Sequence, residues 1–111
     1  MSRDEISKKI EELQLLENHL QGFLIQKQSI QIELNEIENA LEELKDSGNE
    51  IYKMTSGFMI KSDRDKVKKE LEDKKKMLNV RVDAMEKQEK LIEKDVTKLR
   101  DEINKNVSRQ E

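Results

Sequence analysis

The amino-acid sequence predicts a mainly α-helical fold, in which two long helices form an antiparallel coiled coil and a β-hairpin connects them. Two runs of apolar residues repeat at heptad spacing, and a short segment rich in β-forming residues separates them. Charged residues make up 42% of the chain and hydrophobic residues 33%, which suits thin helical seams and not a thick globular core. We expect one domain over residues 1–111, with helix 1 at about 4–46, the hairpin at about 50–61 and helix 2 at about 63–107.

Helix 1 is predicted from a seam of twelve positions at alternating spacings of three and four residues, ten of which are apolar. The seam positions are Ile6, Lys9, Leu13, Leu16, Leu20, Phe23, Lys27, Ile30, Leu34, Ile37, Leu41 and Leu44. Gly48 follows the last of them, where a glycine often caps a helix, so we expect the C-cap of helix 1 at this residue.

Helix 2 is predicted from a second seam of ten positions, eight of them apolar. These positions are Leu71, Lys75, Leu78, Val82, Met85, Glu89, Ile92, Val96, Leu99 and Ile103. Ser62 and Asp65 have the spacing of a capping box, and Asp63 is a rival candidate for the N-cap. Residues 1–45 carry a net charge of −5 and residues 66–111 a net charge of +3, which favours pairing of the two helices, though weakly because the charges are exposed.

Two of the four charged residues in these seams are Lys27 and Glu89. In either of two registers that differ by one heptad, they occupy adjacent layers, and both side chains are long enough to meet. We predict that they form an ion pair that helps to fix the register. In the alternative, each side chain extends independently to the edge of the seam.

A β-hairpin is predicted between the helices, because the residues on either side of Thr55-Ser56-Gly57 are rich in β-formers and these three residues suit a turn. An isolated hairpin is marginally stable in water, and its apolar side chains have little to pack against within one chain. We therefore expect the hairpins of several chains to form a shared β-structure. The expected assembly residues are Ile51, Tyr52, Met54, Phe58, Met59 and Ile60. The alternative is a flexible loop whose apolar residues are incidental.

The sequence predicts no catalytic site, no cofactor and no metal site. His19 is the single histidine, and there is no cysteine to join it at a metal. Gly48 and Gly57 are too isolated for a phosphate-binding loop, and the many carboxylates are interpreted as solvated helix faces. The chain starts without the apolar region of a signal peptide, so a soluble cytoplasmic protein is expected. The net charge of −3 gives no reason to expect nucleic acid, and no stretch approaches the length that spans a membrane.

A distinctive set of residues runs from the centre of the chain into helix 2. It comprises Gly48, Tyr52, Lys53, the stretch 57–61, Ser62, Asp63, Arg64, Val67, Leu71, Arg81 and the segment 85–89. These residues resemble those of the β-class subunits of prefoldin, the hexameric holding chaperone of archaea and of the eukaryotic cytosol. The single hairpin between the helices indicates the β-class and not the α-class, and the short chain with few aromatic residues is similar to archaeal members.

The resemblance implies a hetero-hexamer of two α-class and four β-class subunits, with an oligomeric β-barrel body made from the hairpins. It also implies that the coiled-coil arms bind unfolded polypeptide without ATP and deliver it to a group II chaperonin. The protein would then be a binding protein and not an enzyme.

The free end of the coiled coil is the expected client-binding site, because helix termini fray and expose their apolar residues. The candidate residues are Ile6, Ile10, Leu13, Ile103 and Val107. An ordinary seam end without a client role is the alternative. Two other functions stay open: a structural coiled-coil spacer that assembles through its helices only, and an RNA-binding helical arm like that of seryl-tRNA synthetases, for which only helix 2 offers a basic face.

Overall fold

The computed structural model describes residues 2–110, with side chains described to residue 108. The chain consists of helix α1 (Arg3–Lys45), strand β1 (Glu50–Thr55), strand β2 (Phe58–Asp63) and helix α2 (Arg64–Gln110). Two long helices with a two-stranded antiparallel hairpin between them confirm the predicted fold class. Helix α1 ends at Lys45, and α2 extends to Gln110 where the sequence suggested about 107.

The chain divides into two compact units. The terminal unit comprises residues 2–27, from the cap of α1 onward, and residues 83–110 of α2, and the hairpin unit comprises Gln28–Val82. All the seam positions predicted in both helices are buried or half-buried, which confirms that the heptad pattern marks the faces that pack.

The terminal unit packs its two helical segments through a thin apolar seam. Its buried residues are Ile6 of α1 and Met85, Val96 and Leu99 of α2. The ion pairs Lys9–Glu102 and Lys27–Glu89 join positions whose numbers rise along α1 and fall along α2, so the two segments run antiparallel. A cross-helix salt bridge from Arg100 Nη2 to Glu17 Oε1, at 2.8 Å, lies on the exposed side of the seam.

Helix α1 begins with a cap that its sequence encodes. The backbone N–H of Glu5 donates a hydrogen bond to Ser2 Oγ at 3.2 Å, which satisfies one of the unpaired donors of the first helical turn. Asp4 and Glu5 place negative charge at the positive end of the helix dipole. Ser2 and Glu5 have the spacing of a capping box, so the position of this helix start could have been predicted from the sequence.

The hairpin unit has its own apolar core, formed by Ile30, Leu34 and Ile37 of α1 and by Val67 and Leu78 of α2. Two cross-helix ion pairs flank this core. Glu33 lies 3.7 Å from Lys74, and Glu38 lies 3.5 Å from Lys75, both measured from carboxylate oxygen to Nζ. The acid comes from α1 and the base from α2 in each pair, as the division of charge in the sequence predicts.

The end of α1 differs from the prediction of a cap at Gly48. The φ angle of Gly48 is not in the left-handed region that a glycine C-cap adopts. Ser47 closes the helix instead, because its backbone N–H and its Oγ both donate to the Leu44 carbonyl, at 3.3 Å and 2.9 Å. A serine hydroxyl satisfies the free carbonyl at this helix end, so no left-handed residue is needed.

The start of α2 decides between the two predicted caps in favour of Asp63. The backbone N–H of Asp65 donates to Asp63 Oδ1 at 3.4 Å, and the helix begins at Arg64, so Asp63 occupies the N-cap. Arg64 ties this start to the segment after α1, since its guanidinium Nη1 donates to the Ser47 carbonyl at 3.1 Å and its backbone N–H donates to the Asn49 carbonyl at 3.0 Å. The hairpin is thereby fixed at its base.

The turn of the hairpin is one residue shorter than predicted. Thr55 pairs directly with Phe58, so the turn contains two residues, Ser56 and Gly57, and not three. Both have positive φ, 49° and 82°, as a type I′ turn requires. This turn type matches the right-handed twist of the strands. Glycine adopts a positive φ without strain, and only the second position of this turn is a glycine.

Candidate assembly and client-binding surfaces

The hairpin displays an unusual amount of apolar surface for two short strands. Five of the six predicted assembly residues are between 53% and 73% exposed, and they are Tyr52, Met54, Phe58, Met59 and Ile60. Ile51 is the sixth and is half-buried. Exposing large apolar side chains to water is unfavourable, and a contiguous patch of them marks an interaction surface.

Alternation along the strands gives the hairpin two apolar faces. Residues that pair directly across the strands lie on the same face, so Met54, Met59 and Tyr52 share one face, which we call the methionine face. Phe58 and Ile60 lie on the opposite face together with Ile51, and we call this the phenylalanine face. A sheet with one solvated face normally has polar residues there, whereas here neither face is polar throughout.

The two faces differ in how much of the chain covers them. Lys53 belongs to the phenylalanine face, and its Nζ lies 3.1 Å from Glu70 Oε2 of helix α2. Ile51 and Ser62, the two half-buried residues of the strands, belong to the same face. The base of the phenylalanine face is therefore partly covered by the hairpin unit itself, whereas the methionine face is exposed throughout.

The strands also offer main-chain groups for pairing. The sheet has two strands only, so each strand has one edge whose N–H and C=O groups have no partner within the described part of the chain. A strand from another chain can add to such an edge by backbone hydrogen bonds. The hairpin thus combines two apolar faces with two open edges.

The structure places the five predicted client-binding residues in the terminal unit, but with different exposure. Ile10 and Val107 are exposed, Leu13 and Ile103 are half-buried, and Ile6 is buried in the seam. The ion pair between Lys9 and Glu102 holds the two helical segments together at this level. Hydrogen bonding from Lys9 holds the pKa of Glu102 below its ordinary value, although desolvation acts in the opposite direction.

The helices carry further exposed apolar residues outside the two seams, and for Met77 and Leu91 the seven-residue repeat of an off-seam row already indicates a contact with a neighbouring subunit or a client. In the terminal unit these are Leu15, Leu24, Ile25 and Leu91, and in the hairpin unit they are Ile32, Met77 and Val80. None of them is a seam position. Their signal in the sequence is an apolar residue outside the 3-4 spacing, which by itself does not distinguish a binding surface from a scattered exposed side chain.

Nothing in the described residues suggests a metal centre, since no three histidine, cysteine, aspartate or glutamate side chains are grouped to hold an ion. His19 is exposed. No helix within residues 2–110 is long and apolar enough to cross a membrane.

Helices that pack through heptad seams are joined by a β-hairpin that exposes its apolar side chains and its two strand edges. This combination defines a class of coiled-coil protein. Comparison with known proteins gives the family. A family model described as a prefoldin subunit matches residues 7–110. A prefoldin subunit beta of Pyrobaculum islandicum is 39% identical over 92 residues, which cover 81% of this chain and 74% of that protein.

A prefoldin subunit beta of Saccharolobus islandicus is 35% identical over 107 residues, covering 95% of this chain and 85% of that protein. The crystal structure of the prefoldin beta subunit from Thermococcus strain KS-1 superposes with a TM-score of 0.81 at 30% identity, covering 92% of this chain and 91% of that one. The chain therefore belongs to the prefoldin family, a family of non-enzymatic chaperones, and the resemblance to archaeal β-class subunits is confirmed.

Proposed function

We propose that this chain is a β-class subunit of an ATP-independent holding chaperone of the cytoplasm. Four copies join two α-class subunits in a hexamer, and the hairpins form a body of two β-barrels. The paired helices bind non-native polypeptide and deliver it to a group II chaperonin. The observation that carries the proposal is the hairpin, in which five large apolar side chains are more than half exposed in a chain of which only 33% is hydrophobic.

The faces and edges of the hairpin support assembly through β-structure. Burial of apolar surface contributes roughly 25 cal/mol per Å² removed from water, so side chains of this size supply a driving force that the single chain leaves unused. The open strand edges favour addition of further strands, because every added strand pairs main-chain groups as well as burying side chains. A closed barrel removes all the edges at once, which favours assembly of several hairpins into a barrel over an open pair.

The terminal unit supports client binding at the chain ends. Its seam is thin, with Ile6 as the one buried residue of α1 in this unit. Ile10 and Val107 are already exposed, while Ile6, Leu13 and Ile103 become accessible when the helix ends fray. A small apolar surface that opens by fraying binds weakly and adapts its form, which suits unfolded segments of unrelated sequence.

A structural spacer without chaperone activity is the second candidate. The observation in its favour is that every predicted seam position is buried or half-buried, so the helices pack against each other without a client. This candidate predicts assembly through the helices, and it assigns no role to the exposed hairpin.

The test uses the complex formed with an α-class partner and follows the aggregation of a chemically unfolded enzyme by light scattering. A variant that starts at Leu13 and ends at Leu99 loses the outermost apolar residues of the terminal unit. We expect it to form the full oligomer and to suppress aggregation several-fold less well than the whole chain. Undiminished suppression by the shortened, assembled complex would place client binding elsewhere, and no suppression by the intact complex would favour the spacer.

A further inference from the structure

We propose that Met54 and Met59 form a peroxide-sensitive modification site that controls assembly. Oxidation of these side chains to methionine sulfoxide prevents the hairpin from joining other subunits, while the helices stay folded. This inference rests on the proposed function, in which the hairpin is the assembly surface. It adds a chemical modification of the free subunit that regulates its assembly.

The two methionines are adjacent and open to solvent. They are direct cross-strand partners on the methionine face, one pair away from the turn. Met54 is 72% exposed and Met59 is 67% exposed. Methionine oxidation follows accessibility of the thioether, so both sulfur atoms are open to attack in the unassembled chain.

The seam provides a contrast within the same molecule. Met85 is 8% exposed and packs inside the terminal unit, so a dissolved peroxide reaches it slowly. Met77 is 56% exposed but lies on α2, outside the hairpin. The described residues therefore include an exposed pair of methionines in the hairpin, an exposed methionine on a helix and a protected methionine in a seam.

The chemistry transfers one oxygen atom. The thioether sulfur attacks the terminal oxygen of a peroxide, the O–O bond breaks and an S–O bond forms. Sulfur loses two electrons, and the peroxide is reduced to water or to an alcohol. A methionine sulfoxide reductase reverses the change by removing the oxygen at the expense of thiols.

The position of the pair makes assembly the step that oxidation affects. In the free chain both side chains face water, so a sulfoxide oxygen is solvated and the hairpin loses no packing. In the proposed body one face of each hairpin lines a barrel and the other packs against neighbouring subunits, so both faces leave water. The sulfoxide oxygen then loses its hydration, and a buried polar group without a hydrogen bond is unfavourable. Tyr52 on the same face adds to the apolar surroundings that would exclude water there.

The experiment treats the free chain with hydrogen peroxide and measures oxidation at each methionine by peptide mass spectrometry. We expect Met54, Met59 and Met77 to react about tenfold faster than Met85. The oxidised chain is then mixed with an α-class partner, and the oligomer is measured by light scattering. We expect the dissociation constant of the complex to rise by about tenfold or more, with unchanged helical circular dichroism, and to recover after reductase treatment.

Three variants separate the hairpin pair from other effects. A Met54→Leu, Met59→Leu chain should assemble normally and should become insensitive to peroxide. A Met77→Leu chain is the matched control and should remain sensitive. A Met54→Gln, Met59→Gln chain mimics the polarity of the sulfoxides and should assemble poorly without any peroxide.

Two outcomes would overturn the inference: normal assembly of the fully oxidised wild-type chain, or equal peroxide sensitivity of the double leucine variant. A parallel Phe58→Asp chain distinguishes this failure from that of the proposed function. If Phe58→Asp fails to assemble while the oxidised chain assembles, the methionine site alone is rejected. If Phe58→Asp assembles normally, the hairpin is not the assembly surface and both proposals fail.

Discussion

Lys27 Nζ lies 2.8 Å from Glu89 Oε1 across the seam of the terminal unit, and the two side chains are only 25% and 16% exposed. The contact is principally an ion pair, because Glu89 Oε1 is buried without a well-aligned hydrogen bond. The adjacent Glu89 carboxylate raises the pKa of Lys27, and desolvation by burial acts in the opposite direction but more weakly. The sequence predicted that these two seam charges would meet, and the structure confirms the contact.

The pairing predicts that Lys27 and Glu89 are coupled in stability. Lys27→Leu leaves the Glu89 carboxylate in the seam without its partner, and Glu89→Leu does the same to the ammonium group. The double leucine variant removes both charges and fills the seam with apolar side chains. We expect the sum of the two single changes in Tm to differ from the change in the double variant by about 2 °C or more.

Thermal unfolding by circular dichroism measures this cycle, and Lys9→Leu with Glu89→Leu provides an uncoupled comparison, since Lys9 pairs with Glu102. If the effects of Lys27→Leu and Glu89→Leu are additive, the two charges are independent and do not help to fix the register.

The outer ion pair predicts a response to acid. The pKa of Glu102 is lowered from its ordinary value of 4.5 by the hydrogen bond from Lys9. A carboxylate with a lowered pKa in the folded state stabilises the fold above its unfolded pKa, and this contribution is lost as the pH falls through the folded value. We expect the terminal unit to lose stability as the pH falls below about 4.5.

A Glu102→Gln variant should be less stable at neutral pH and should lose less of its stability in acid than the wild type. Glu11→Gln is the control, because Glu11 is an exposed carboxylate of α1 without an ion pair among the described residues. Amide hydrogen exchange of residues near Glu102 gives a local measurement. If Glu102→Gln and the wild type lose the same amount of stability in acid, the Glu102 carboxylate does not cause the acid response.

Much of this structure is encoded locally, and that part was predictable. The apolar residues of each seam have the spacing of a helix, so both helices and their packed faces could be predicted from the sequence alone. The ion pair of Lys27 with Glu89 was predictable, because both interrupt the seams. The ion pair of Lys9 with Glu102 was not, because Glu102 lies outside the seam and the pair reverses the general division of charge.

The helix ends and the turn show where local patterns are ambiguous. Ser47 and Gly48 both suit the end of a helix, and the hydroxyl bond to Leu44 decided between them. Thr55, Ser56 and Gly57 all suit a turn, and the pairing register of Thr55 with Phe58 fixed its length. The assembly surface could be proposed from the apolar residues of the hairpin, but its two faces required the register.

The turn makes a separate prediction about Ser56, whose φ of 49° lies in the left-handed region. Asparagine adopts this conformation more readily than serine, whereas a β-branched residue is disfavoured there. We expect Ser56→Asn to stabilise the assembled complex slightly and Ser56→Val to destabilise it by about 1–2 kcal/mol. Thr55→Val is the matched control, because Thr55 lies in strand β1 and accepts a β-branched residue. Equal effects of valine at both positions, measured by thermal unfolding of the complex, would contradict the type I′ turn.

If the exposed hairpin is the assembly surface, the mass of the complex must depend on its apolar side chains. Phe58 is 73% exposed, so Phe58→Asp places a charge on the surface of the free chain at little cost to its fold but would bury that charge in a shared barrel. Leu15→Asp is the control, because Leu15 is also more than half exposed but lies on α1 in the terminal unit. Light scattering after mixing with an α-class partner should show the full oligomer for the wild type and for Leu15→Asp. Phe58→Asp should remain unassembled with its helical circular dichroism intact, and a full oligomer formed by Phe58→Asp would show that the hairpin is not the assembly surface.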